Sequence, residues 1–381
     1  MALRLQHPAP DAKLDSMNTR TFPSLPRAPF ALQDARHLLV LAMLALPVAG
    51  HLSGTSGKLS LLFLVVVAAI DAVIGVRPAA STPHVWPATR HAWFSGFLYA
   101  YVFLHMALLV WSIAIVASNP SIEDALWRAV SIGFVTGTFG ITIAHELGHR
   151  PSRLDRVLSQ LLLVTVCYGH FYVEHNRGHH ARVGTLSDPA TARFGESFFR
   201  FYPRTVVGSF THAWRLEAMR LETQGGRAWS PGNRIVWHVG AALLLCTIAW
   251  LVAGLAGLVF FVFQSVVAFT LLELVNYVEH YGLERKRDAT GRIERVEPHH
   301  SWNSDTWFGN AILVNLQRHS DHHADSSRPY EALRSIDAAP QLPAGYAGMI
   351  LLALLPPLWF RVMDGRALAA SVSVPAGSGI N

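Results

Sequence analysis

The chain has 381 residues, of which 51% are hydrophobic and only 15% charged; its formal net charge is +6 and its mean hydropathy +0.29. Soluble domains carry about 25% charged residues, so the composition points to a membrane protein. The two cysteines, Cys167 and Cys246, exclude a disulfide framework, a zinc ribbon and a built-in four-cysteine iron centre, and both read as buried hydrophobes.

Residues 1–36 are rich in Pro, Ala and charge, with no apolar core. They read as a cytoplasmic tail rather than a cleaved signal peptide, with Met17 an alternative start. A helix needs roughly 20 apolar residues to cross the hydrocarbon. That length predicts an all-α membrane protein of six spans in three hairpins, at about 38–54, 59–76, 94–117, 126–147, 235–256 and 258–280. The last two are joined by the short turn Gly254-Leu-Ala-Gly257. Asp71 stands in the second span, where a carboxylate is costly; near the span end, snorkelling to the interface is the cheaper explanation. Residues 37–365 read as one membrane-embedded domain and 366–381 as a short tail.

Arginine sets the orientation. Twelve arginines and no lysine lie between Arg150 and Arg234, whereas the loop 118–125 carries Glu123 and Asp124 and no basic residue. Positive-inside placement puts both termini and the 148–234 region in the cytoplasm. One further apolar run, 157–173, would separate the neighbouring histidines if it crossed, so it is expected to re-enter or lie flat. The run 346–360 is interrupted by Pro356-Pro357.

With this topology three histidine motifs converge at one face: His145-Glu-Leu-Gly-His149, His175-Asn-Arg-Gly-His179-His180 and His319-Ser-Asp-His322-His323. His280 ends the sixth span on the same side. Neutral imidazole is the commonest ligand for later transition metals, and one ion rarely takes more than six, so eight or nine clustered imidazoles imply two ions. Residues 145–149 alone also read as HExxH, a zinc-protease motif with Glu146 as base. That reading leaves His175, His179, His180, His319, His322 and His323 unused. His299 and His300 lack a spaced partner and read as structural, and His105 and His170 as packed core histidines. A nitrogen-rich centre above apolar helices suits a hydrophobic substrate reached through the bilayer. Zinc has no redox chemistry, so an oxidation there would favour iron or copper.

The motif stretches resemble the membrane non-haem di-iron superfamily of fatty-acyl desaturases and hydrocarbon hydroxylases. Within it they look most like the bacterial alkane 1-monooxygenases. The matching residues are His145-Glu-Leu-Gly-His-Arg150, Tyr168 to His180, Asp188 to Glu196, Asn276-Tyr-Val-Glu-His-Tyr-Gly-Leu283, His300-Ser-Trp-Asn-Ser304 and Leu316 to His323. The resemblance implies nine ligands to two iron ions: His145, His149, His175, His179, His180, His280, His319, His322 and His323. It leaves Glu146, Glu174, Glu279 and Asp321 as partners that orient the rings. Glu273, about two turns from His280, is placed beside them. It also implies terminal hydroxylation of n-alkanes with O2, electrons from rubredoxin and its NADH-dependent reductase, and a bacterial inner membrane with the centre on the cytoplasmic side. Membrane lipid surrounds such a protein, and no nucleic-acid partner is expected. A xylene-type hydroxylase or a desaturase would share the histidines. Chain-length selection would depend on bulky residues between the spans, with Phe97, Phe103, Trp111, Phe134 and Phe139 as candidates.

Overall fold

A computed structural model describes residues 35–76, 88–287 and 290–372. Among them the protein is built from helices, with only three isolated β-bridges and no strand. The principal elements are α1 (Gly57–Ile74), α2 (Ala88–Ser118), α3 (Ile122–Val135), α4 (Ile141–His149), α5 (Arg153–Val164), α6 (Phe171–Glu174), α7 (Phe198–Glu222), α8 (Arg234–His280), α9 (His319–Ala324), α10 (Tyr346–Ala353) and α11 (Pro356–Val372). A π-turn, Thr136–Gly140, joins α3 to α4.

Four helices among the described residues are long and apolar enough to cross a membrane: α1, α2 over Ala92–Ser118, the run Ile122–His149, and α8. The expected first span at 38–54 differs. It is helical but falls into Arg36–Leu38, Leu39–Met43 and Ala45–Leu52, each shorter than a crossing. Pro47 has no N–H to offer the Met43 carbonyl, so the ladder restarts there, with proline in the first turn of the new piece.

The two expected spans 235–256 and 258–280 lie within the single 47-residue element α8. A straight helix of that length would run about 70 Å, more than twice the hydrocarbon thickness. The chain leaves helical geometry at Ala253 (φ −130°, ψ 17°) and Gly254 (φ 59°, ψ −149°). A Cβ on Gly257 would collide with the carbonyl of Ala249, eight residues back, so the two arms turn against each other. Small residues then let the second arm seat closely on the π-turn: a Cβ on Gly137 would meet the Ala268 backbone.

The apolar run 157–173 does not form one helix. It breaks after α5, where Tyr168 N–H donates to Leu163 O at 3.0 Å and Cys167 takes φ 54°. The 346–360 run breaks before Pro356, as the diproline predicts. Helix α7 has no counterpart in the sequence reading, because it is too polar to look like a span. Asp71 is not at the surface: it is buried, and its Oδ1 accepts the Gly309 N–H at 3.0 Å, tying α1 to the short helix Trp307–Ile312. Cys167 and Cys246 are free and half-buried.

Candidate metal centre

Each histidine motif sits on a short stretch of helix, and the helix type decides where each ring goes. His145 and His149 close α4 at i,i+4, and so share a face. His319 and His323 do the same on α9. Residues His175–His179 form a second π-turn. There the repeat is five residues rather than four, so His175 aligns with His180 and not with His179. Asn303 Oδ1 accepts the Ser320 N–H at 2.8 Å, and Ser320 Oγ donates to Ser301 O at 2.9 Å. The Ser301-Trp-Asn303 stretch therefore fixes the start of α9.

The nine expected histidines gather into two groups. His145, His149, His175, His180 and His322 form one, and His179, His280, His319 and His323 the other; within each, the ligand nitrogens lie within 4.8 Å of one another. In the first, His175 Nε2 stands 3.1 Å from His149 Nε2 and 3.0 Å from His180 Nε2, which is 3.2 Å from His322 Nε2. In the second, His323 Nε2 is 2.9 Å from His319 Nε2 and 3.3 Å from His179 Nε2, and His319 Nε2 is 3.3 Å from His280 Nε2. An imidazole nitrogen carries one proton or one lone pair, so hydrogen bonding cannot account for nitrogens that each face two others. An ion about 2.1 Å from each nitrogen leaves adjacent nitrogens about 3.0–3.4 Å apart, which is the spacing found. His145 Nε2 is buried without a hydrogen-bond partner. The residues therefore fit a pair of metal ions with nitrogen-dominated coordination.

Electrostatics agree with that fit. Burial and the surrounding imidazoles hold His175, His180, His319, His322 and His323 well below the usual imidazole range, so these rings are neutral and ligand-competent. His179 is the exception. Burial, the largest single influence, would lower it, but Asp188 with Glu174 and Glu273 together raise it; the contact with His179 helps hold Asp188 low against its own burial. Asp188 Oδ2 accepts from His179 Nδ1 at 2.9 Å, leaving Nε2 free to face the second cluster. This carboxylate–imidazole pair was not assigned from the sequence. Its nine-residue offset from His179 carries no helical period, and only the Asp188-Pro-Ala motif marks it.

The expected carboxylates divide. Glu146 is ion-paired with Arg150 at 2.9 Å. Glu174 accepts from His212 Nδ1 at 3.0 Å. Asp321 is held by Arg334, with Nη2 at 2.7 Å. Glu273 accepts from Tyr168 Oη at 2.7 Å, Thr205 Oγ1 at 2.8 Å and Asn276 Nδ2 at 3.1 Å, not from His280. Glu279 alone reaches the ligand nitrogens: Oε2 lies 3.2 Å from His319 Nε2, while Oε1 accepts from Tyr346 Oη at 2.9 Å. His300 Nδ1 accepts the Glu297 N–H at 2.9 Å and its Nε2 meets Glu294 at 3.0 Å, in a third group with His299 apart from the nine.

An apolar cavity runs from between the helices to the clusters. Its wall includes Phe63, Val67, Phe134, Phe139, Leu272 and Ile350, and it reaches His145, His175, His319 and Glu279. Of the bulky residues expected to shape it, Phe134 and Phe139 line it and Phe97, Phe103 and Trp111 do not. Phe134 packs edge-on against both Phe63 and Phe139, at centroid distances of 6.3 and 6.4 Å.

The sequence pattern of the fatty acid desaturase family matches residues 125–353, the segment that carries all nine histidines. An alkane 1-monooxygenase of Pseudomonas aeruginosa is 45% identical over 79% of this chain and 81% of its own length. One from Acinetobacter baylyi is 39% identical over 79% and 74%, and one from Alcanivorax borkumensis 38% over 87% and 85%. The chain belongs to the alkane 1-monooxygenase family. The family's histidine motifs, read first as spacings, thus sit on one continuous structural unit with an apolar cavity beneath it.

Proposed function

We propose that this chain is a membrane di-iron monooxygenase that hydroxylates the terminal carbon of n-alkanes. The overall change is R–CH3 + O2 + 2e⁻ + 2H⁺ → R–CH2OH + H2O. The observation that carries it is an apolar cavity ending on imidazoles of both clusters. Five histidines would hold one iron and four the other; when bound, the irons supply activation of dioxygen, which an alkane without a polar handle requires. The chain's own residues do the rest. Phe134, Phe139 and their neighbours exclude water and hold an extended hydrocarbon with one end at the centre. Asp188 keeps the His179 ring in the tautomer that presents Nε2. The electrons come from rubredoxin, reduced by its NADH-dependent reductase, at a cytoplasmic face of the inner membrane.

The docking face is the arginine-rich region 150–234. Several of its arginines are committed inside the protein, with Arg204 on Glu196 and Arg177, Arg220 and Arg234 on Glu217. Arg153, Arg200 and Arg215 are exposed and stand in no ion pair with the described residues, which leaves them to meet an acidic redox protein. The zinc-protease alternative loses its base, since Glu146 is occupied by Arg150. The deciding experiment feeds a graded series of n-alkanes to cells expressing this chain with rubredoxin and reductase. A 1-alkanol from some chain lengths is expected, and none from any length overturns the reading.

A further inference from the structure

We propose that Glu279 is itself a ligand of the four-histidine ion, its Oε2 joining His179, His280, His319 and His323. The inference rests on the reading that this cluster holds metal, and goes beyond it by adding an oxygen donor to an all-imidazole set. Oε2 is 3.2 Å from His319 Nε2, within the range separating the imidazole nitrogens from one another. The carboxylate is 2% exposed and lines the apolar cavity together with His319.

Charge gives the second argument. Glu146 and Asp321 are neutralised by arginine, Glu174 and Asp188 meet imidazole Nδ1 atoms, and Glu273 is satisfied by three neutral donors. Glu279 has one hydroxyl on Oε1, and its other oxygen faces a nitrogen that the cluster directs inward. A buried carboxylate with so little compensation takes up a proton or sits on a cation, and the inward-facing nitrogens beside Oε2 favour the cation. The Tyr346 hydroxyl aims it: by holding Oε1, it leaves Oε2 turned to the imidazoles. Each ion then has five donors, five nitrogens for one and four nitrogens with one oxygen for the other.

The test uses the full chain in detergent, loaded with isotopically enriched iron, and reads Mössbauer spectra and bound metal against a graded chelator. Wild-type protein should show two unlike iron sites. In Glu279→Gln the four-histidine iron should be stripped at chelator concentrations about 10–100-fold lower, or show an altered quadrupole doublet, with the other iron unchanged. Tyr346→Phe keeps the carboxylate and should keep both irons. Two irons in Glu279→Gln with wild-type doublets and wild-type chelator resistance would overturn the proposal. Should Glu279→Gln not be recovered folded, the wild type decides: infrared difference spectra, loaded minus apo, with carboxyl-labelled glutamate must show a displaced glutamate band, and its absence overturns the proposal equally. A wild-type chain that binds no iron fails at the metal-centre reading instead, which keeps the two failures apart.

Discussion

The two histidine clusters are neighbours but differ in character. The five-histidine cluster keeps three partly exposed rings, His145, His149 and His180. The four-histidine cluster is wholly buried, and both carboxylates in contact with clustered imidazoles, Asp188 and Glu279, belong to it. One ion would thus be held by neutral donors near the protein edge, the other by a ligand set with negative charge around it in a dry interior. Fixed negative charge favours the higher oxidation state of a bound metal, so the two positions are electronically unequal before any substrate arrives.

That inequality can be broken at four places. His280→Ala should have the largest effect, removing the four-histidine ion while the five-histidine ion stays; product formation should fall by at least about 100-fold. Metal analysis alongside activity checks this, and loss of both ions together would show that the sites are not separable. Asp188→Asn should weaken retention of the same ion by about 10–100-fold, through loss of the hold on His179. Equal weakening at both sites would remove the asymmetry. Phe139→Ala opens the cavity wall beside Phe134 and should shift preference toward longer alkanes, by roughly 4-fold per added methylene at about 0.8 kcal/mol each. A competition assay with mixed chain lengths reads this directly. Smallest is the charge effect. Arg200→Gln with Arg215→Gln should slow reductant-limited turnover a few-fold at low salt and leave it nearly unchanged at high salt. A salt-independent rate removes electrostatic docking.

Much of the centre was legible because helical spacing is a geometric statement. His145/His149 and His319/His323 pair as i,i+4 predicts, and the span lengths at 59–76, 94–117 and 126–147 follow from hydropathy alone. The contacts that spacing did not show share a cause. Glu146, Glu174, Glu273 and Asp321 were placed by nearness in sequence to a histidine, yet a carboxylate's partner is chosen by tertiary contact: Arg150, His212, Tyr168 and Arg334 took them. Asp71 looked like an interfacial residue because the Gly309 amide that donates to it lies 238 positions away. The grouping of His175 with His180 was also hidden, since a π-turn has no hydropathy signature.

That π-turn has a consequence for how the centre assembles. The motif at 175–180 has one more residue than the motif at 319–323, and the wider turn absorbs it. Both motifs thereby do the same thing in opposite senses. One sends its outer pair, His175 and His180, to the first ion and His179 to the second; the other sends His319 and His323 to the second and His322 to the first. The two segments are laced crosswise through both ions. Each segment is thus anchored at both positions and keeps one anchor when a single ion is lost. Deleting Asn176 would turn the first motif into a copy of the second in spacing, and would have to be judged by whether the lacing still closes.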